Sequence, residues 1–79
     1  LLKEQPENPY LWELKGQILF EFGRAKEAEE PQRRSVELKP NAPLLRINLG
    51  QTLINLEDKA KVEEGVAALK TALLQEQGN

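Results

Sequence analysis

The side chains able to do chemistry in this chain are carboxylates, amides, a few cations and one tryptophan. Of its 79 residues, 13 are Asp or Glu and 11 are Lys or Arg, while Cys and His do not occur. That composition excludes a thiolate nucleophile, an imidazole base, a His or thiolate metal site and any disulfide. The acids come in runs, Glu27-Glu29-Glu30 and Glu63-Glu64. Paired carboxylates serve acid–base catalysis only where a pocket raises the pKa of one of them. On charged helical segments these runs read as solvated charges. No catalytic residue, metal ligand set or cofactor site is therefore expected, and the chain reads as non-enzymatic. The amides point elsewhere. Asn48, Gln51 and Asn55 recur at i, i+3, i+7, and Tyr10, Glu13, Gln17 and Glu21 fall at similar phases earlier in the chain. An amide both donates and accepts hydrogen bonds. Such a ladder suits a peptide backbone held with little demand on its sequence.

Charge and hydropathy narrow the partners. The net charge is −2, so no overall basic field would hold nucleic acid or an acidic membrane. Arg33, Arg34, Lys39 and Arg46 form a local basic stretch against Glu37 alone. It reads as a solvated face, with Glu30 and Arg34 paired at i, i+4 for a few tenths of a kcal/mol, roughly. No apolar run approaches the length of about 18 residues that a bilayer span needs. Direct membrane insertion is therefore not expected, and no stretch reads as a signal peptide. The chain begins at Leu1 and lacks methionine, and it reads as a piece of a longer polypeptide whose compartment is unknown.

The elements that would position these residues follow from a repeat. Residues 6–20 laid over 40–54 match Pro6 to Pro40, Pro9 to Pro43, Leu11 to Leu45, Gly16 to Gly50, Gln17 to Gln51 and Leu19 to Leu53. A shift of 34 residues is the period of a helix–turn–helix solenoid. After residue 56 the register slips by three, so that Ala28 aligns with Gly65. The extra residues are expected as a polar loop near Glu57–Lys61.

The predicted fold is all-α, with about four antiparallel helices and no strand. Asn8-Pro9 starts the first, with the stripe Leu11, Leu14, Ile18, Phe22, and Gly23 ends it in a left-handed turn. A second runs from about Ala25 to Leu38, ahead of Pro40, with a thin apolar face of Ala25, Ala28, Val36 and Leu38. Pro31 inside it either kinks the helix or delays its start. The third, from Pro43, carries Leu45, Leu49, Thr52, Leu53 and Leu56. The fourth is capped by Asp58, carries Val62, Val66, Leu69 and Leu73, and frays at Gly78. Residues 1–6 are expected as the helical remnant of a preceding repeat, 7–42 as the first repeat and 43–79 as the second.

Trp12 with Gly16, Ala28 early in the second helix, and Pro40 at the repeat end resemble the tetratricopeptide repeat. The second copy keeps Gly50, has Gly65 at the small position, and departs from the pattern with Arg46 at the Trp place. The resemblance implies a superhelix of paired helices. Trp12 would pack between paired helices, and Gly16, Ala28, Gly50 and Gly65 would be close-packing points. It further implies that the first helix of each repeat lines a concave groove for a protein or peptide client. The two-carboxylate clamp of chaperone-binding relatives is not implied, because Glu13 and Ile47 stand where that clamp has cations.

The strings at 8–17 and 37–51 resemble, more narrowly, the C-terminal repeat module of bacterial BepA-like HExxH zinc metalloproteases. That resemblance implies a cell-envelope or periplasmic parent in which the repeats recruit or position clients. None of its catalytic residues has a counterpart here. A structural alternative stays open: a spacer or plug packed on a parent catalytic domain, or a self-association module. Two repeats expose apolar ends, including parts of Leu1, Leu2, Leu69, Leu73 and Leu74, so a homo-oligomer of this chain is expected.

Overall fold

The computed structural model describes residues 8–78, all of them in helices or the turns between helices. The order is α1 (Pro9–Glu21), α2 (Ala25–Leu38), α3 (Pro43–Asn55) and α4 (Lys59–Gln77). Among the described residues there is no strand, and the fold is all-α. The expected remnant at 1–6, with Leu1 and Leu2, lies outside the described residues.

Local chemistry sets the helix ends. Asn8 Oδ1 accepts from the Tyr10 N–H at 2.9 Å, and Pro9 occupies the first helical position, where its missing N–H costs nothing. Asp58 Oδ1 accepts from the Lys61 N–H at 3.2 Å and starts α4. At the end of α1, Arg24 donates to the Leu19 carbonyl and Gly23 to that of Phe20, with Gly23 at φ +79°. This is the closing turn that needs a left-handed residue. Its counterpart 34 residues on is Glu57, at φ +61°. A side chain there is strained where glycine is not.

α2 runs without interruption from Ala25 through Pro31, so a delayed start is excluded. Pro31 leaves the Glu27 carbonyl without its helical N–H partner, and its ring is buried.

The extra residues of the second repeat do not lengthen a loop. Both connections within the repeats are three residues, Phe22–Arg24 and Leu56–Asp58, and both pairs of helix starts, Pro9 with Pro43 and Ala25 with Lys59, keep the 34-residue period. The slip appears in packing instead. Gly16 faces Ala28 and Gln32, whereas Gly50 faces Gly65 and Leu69, a shift of 37 on the second helix. The three residues form additional helix at the start of α4, which also runs two residues further at its end and so has 19 residues against 14 in α2.

α1 packs along α2 and α3 along α4, while α2 and, more lightly, α1 touch α3. The result is a slab of 33 × 32 × 17 Å. Glycines set the helix separations. A Cβ on Gly65 would lie 2.7 Å from the Gly50 carbonyl oxygen, so α3 and α4 meet backbone to backbone. The core is Ala28, Leu45, Leu49, Leu53 and Ala72, with buried Gln32, Ser35 and Thr52 among them.

The expected inner stripe of α1 is corrected. Leu11, Leu14, Ile18 and Phe22 point out of the slab, with Phe22 76% exposed. Helix α1 turns Glu13 and Gly16 inward instead. The α4 stripe divides likewise: Val62 and Leu69 are half-buried, Val66 and Leu73 are exposed, and Gly65 and Ala72 make the inward contact.

Candidate interaction face

Two parallel rows of side chains occupy one side of the slab. Tyr10, Gln17 and Glu21 lie at i, i+7, i+11 on α1 and are exposed. Leu44, Gln51 and Asn55 lie at the same spacing on α3 and are also exposed. Each is the 34-residue counterpart of the other row's member. Helical periodicity places each trio on one stripe, and the repeat gives the two stripes the same phase. Leu44 belongs to this face although its type gives no polar signal. The signal that finds it is its register with Tyr10.

Glu13 and Asn48 are corrected from open groove residues to a tether beneath the rows. Asn48 Nδ2 donates to Glu13 Oε2, joining α1 to α3. Glu13 is buried, and its other carboxylate oxygen has no hydrogen-bond partner. Burial pushes its pKa up, against the smaller opposing effect of the Asn48 hydrogen bond. Burial makes ionisation of this carboxyl less favourable than it is in water. It is enclosed between helices, with one oxygen accepting from Asn48 and the other buried, so it is not presented to a client.

The opposite side of the slab carries charge. Arg33 on α2 donates to Glu64 on α4 through two nitrogens, at 2.5 and 2.8 Å, and through Nε to Glu29 at 2.8 Å. Lys61 Nζ reaches the same Glu29 oxygen at 2.6 Å. Burial raises the Glu29 pKa, but hydrogen bonds from Lys61 and Arg33 outweigh it and hold the carboxyl below its usual range. The Arg33 hydrogen bonds likewise lower Glu64, and Arg33 is raised chiefly by its bond to Glu64. Bidentate arginine–carboxylate geometry is the strong form of such pairs. The expected Glu30–Arg34 pair is replaced: Arg34 lies 3.7 Å from Glu37. The basic stretch is thus largely spent on internal bonds, since Arg46 donates to the Pro40 carbonyl at 3.0 Å. Gln75 donates to that same carbonyl at 2.8 Å and ties the end of α4 to the α2–α3 turn.

The expected close-packing residues Gly16, Ala28, Gly50 and Gly65 are all buried. Trp12 is corrected from a core position to a half-buried one, on an open cleft beside Lys15 and Pro31, with the Lys15 ammonium 5.8 Å from its ring. Among the described residues, no group of three or more acidic side chains could hold a metal ion. No described helix is long and apolar enough to cross a membrane. Comparison with protein-family models, with curated proteins and with solved structures yields no match.

Proposed function

We propose that this chain is a non-enzymatic tetratricopeptide-like module whose α1–α3 face binds an extended peptide or protein segment. The observation that carries the reading is the double row. Two aligned sets of exposed side chains, Tyr10–Gln17–Glu21 and Leu44–Gln51–Asn55, sit on adjacent helices that the Glu13–Asn48 bond ties together. Tyr10 and Leu44 supply apolar area at one end. The amides beyond them can exchange hydrogen bonds with any peptide backbone. Rigid presentation lowers the ordering cost that binding must meet. In a parent protease of the BepA-like kind, the face would hold a client near a catalytic domain carried elsewhere.

The test is an array of synthetic extended peptides probed with the purified chain and with a Tyr10→Ala/Gln17→Ala/Gln51→Ala/Asn55→Ala variant. All four side chains are exposed, so the variant should keep its helical circular dichroism. Peptides bound by the parent chain should lose binding to the variant at least tenfold. Equal binding by both would overturn the reading.

A further inference from the structure

The large exposed apolar side chains are not scattered. Apart from Tyr10 and Leu44 on the groove face, they gather on two ends: Leu11, Leu14, Ile18 and Phe22 on α1, and Val66, Leu73 and Leu74 on α4. The internal repeat says what each end is. Shifted by 34, Leu11, Leu14, Ile18 and Phe22 become Leu45, Asn48, Thr52 and Leu56. Those positions are buried or half-buried within the slab. The open stripe of α1 therefore corresponds to the receiving surface of a repeat, and the described residues leave it uncovered.

Two clefts make the same point independently. One, of about 330 Å³, lies between the repeats. Its downstream wall is Arg46, Leu49, Glu64, Ala67, Ala68 and Thr71, and its upstream wall is Arg33, Val36 and Glu37. The other, of about 560 Å³, is lined by Trp12, Lys15, Glu30, Pro31 and Arg34. With the shift of 34 on the first helix and 37 on the second, these five residues are the counterparts of five of the six in the first cleft's downstream wall; the sixth, Glu64, has as its counterpart Glu27, which does not line the second cleft. The open cleft is half of the inter-repeat cleft. The missing half has counterparts in this chain: Arg33, Val36 and Glu37 correspond to Lys70, Leu73 and Leu74, and all three are exposed.

We infer that a second copy of this chain seats the outer face of its α4 on the α1–α2 end of the first, head to tail, repeating the internal inter-repeat interface. Three of the contacts translate into favourable ones, whereas the Lys61–Glu29 bond does not, its counterparts being Arg24 and the second copy's Val66. Leu73 of the second copy takes the place of Val36 and meets Trp12 and Pro31. The polar Glu13–Asn48 pair becomes an apolar pair, the second copy's Ile47 against Leu14. The Arg33–Glu64 ion pair becomes the second copy's Lys70 against Glu27, again cation to carboxylate. Because the two surfaces differ, the contact is heterologous and can propagate along a row of copies. The two groove rows follow one another along the stacking direction, so stacking would add rows to the face without occupying it. This inference does not rest on the groove reading, since none of the stacking residues belongs to it.

Sedimentation velocity of the full chain over a wide concentration range reads the assembly directly. The wild type should pass from the 9.0 kDa monomer to dimers and longer species as concentration rises. The emission of its one tryptophan should shift to shorter wavelength over the same range. Leu14→Glu and Leu73→Glu each remove one of the two surfaces, at exposed positions that leave the fold intact by circular dichroism. Each variant alone should stay monomeric. Mixed in equal amounts, they should form a dimer that grows no further, because each keeps the surface the other lacks. Lys70→Glu should weaken assembly of the full chain, and Glu27→Lys in the same chain should restore it. A wild type that stays monomeric at every concentration overturns the inference. So does a mixture of the two leucine variants that stays monomeric, because that outcome belongs to a self-complementary interface or to none.

Discussion

α1 and α3 carry nearly the same apolar signal and meet opposite fates. Leu11 and Leu45 are counterparts in the repeat, yet Leu45 is 1% exposed and Leu11 36%. Thr52 is 1% exposed and its counterpart Ile18 48%. The more hydrophobic residue is the more open one. Hydrophobicity establishes that a stripe wants cover. Whether it receives cover depends on what stands next to it, and among the described residues only α3 has a helix pair on its upstream side. A similar contrast holds for glycine. Gly50 meets the Gly65 carbonyl oxygen across the α3–α4 contact, with the Leu69 side chain beside it. Gly16 meets chiefly the Gln32 side chain, whose Cγ would lie 2.5 Å from an added Cβ.

The largest effect should come from the stripes themselves. Leu45→Ala should cost roughly 2–5 kcal/mol of unfolding free energy, as for other buried leucines, and Leu11→Ala less than about 1 kcal/mol at concentrations where the chain is monomeric. Urea denaturation of both variants measures the difference, and equal losses would erase the distinction drawn between the helices. Next come the glycines. Gly65→Ala puts a methyl 2.7 Å from a backbone oxygen, so α3 and α4 must separate, at a cost of roughly 1–3 kcal/mol. Gly16→Ala should cost less, because the nearest atom it meets, Gln32 Cγ at 2.5 Å, belongs to a side chain and not to the backbone. Thermal melts of the two variants rank them, and the reverse order would contradict the packing described here.

A smaller effect separates the two turns. Glu57→Gly should stabilise the chain by about 1 kcal/mol, by relieving a left-handed backbone that glycine adopts freely. Gly23→Ala should cost a similar amount at the matching turn. Chemical denaturation at neutral pH resolves shifts of that size, and a destabilised Glu57→Gly variant would mean that the carboxylate has a role there.

The finest contrast is between the two inter-repeat tethers, which respond to pH with opposite sign. Glu64 and Glu29 titrate below their ordinary range in the folded chain. Their contribution is therefore complete above the unfolded pKa and is lost as pH falls through the folded one. Glu13 is raised. Between its unfolded and folded pKa values the folded state holds more protons, so stability declines as pH rises through that window. Glu13→Gln, which still accepts from Asn48, should remove the decline and gain stability at pH 7. Arg33→Gln should flatten the acid limb. Unfolding free energies from pH 3 to 8 would show both changes, and a Glu13→Gln variant less stable than the parent at pH 7 would refute the account of its burial.

How far the sequence carried depended on the range of the interaction. Helix starts were legible because Asn8, Pro9, Pro43 and Asp58 act on backbone groups within three residues of themselves. Gly23 was legible as a turn for the same reason. Leu44 was missed because one leucine in a leucine-rich helix has no signature, and only its register with Tyr10 assigns it to a face. Glu13 was read as a solvent-facing ligand group because its periodicity fits the groove row. Its burial follows from the approach of α3, to which it is bonded through Asn48. The slip of three residues was visible in the alignment, but whether it formed loop or helix turned on Asp58 closing the turn in the same place as in the first repeat.

By itself the sequence determined an all-α chain, the places where its helices begin and end, the 34-residue register, and the absence of thiol and imidazole chemistry. Those properties depend on local backbone hydrogen bonding, on side-chain period and on composition. The tertiary structure decided which stripes are covered, that Glu13 and Asn48 bond to each other, which cation meets Glu64, and that one cleft is half of another. Those outcomes depend on groups tens of residues apart that share no local signal until the helices pack.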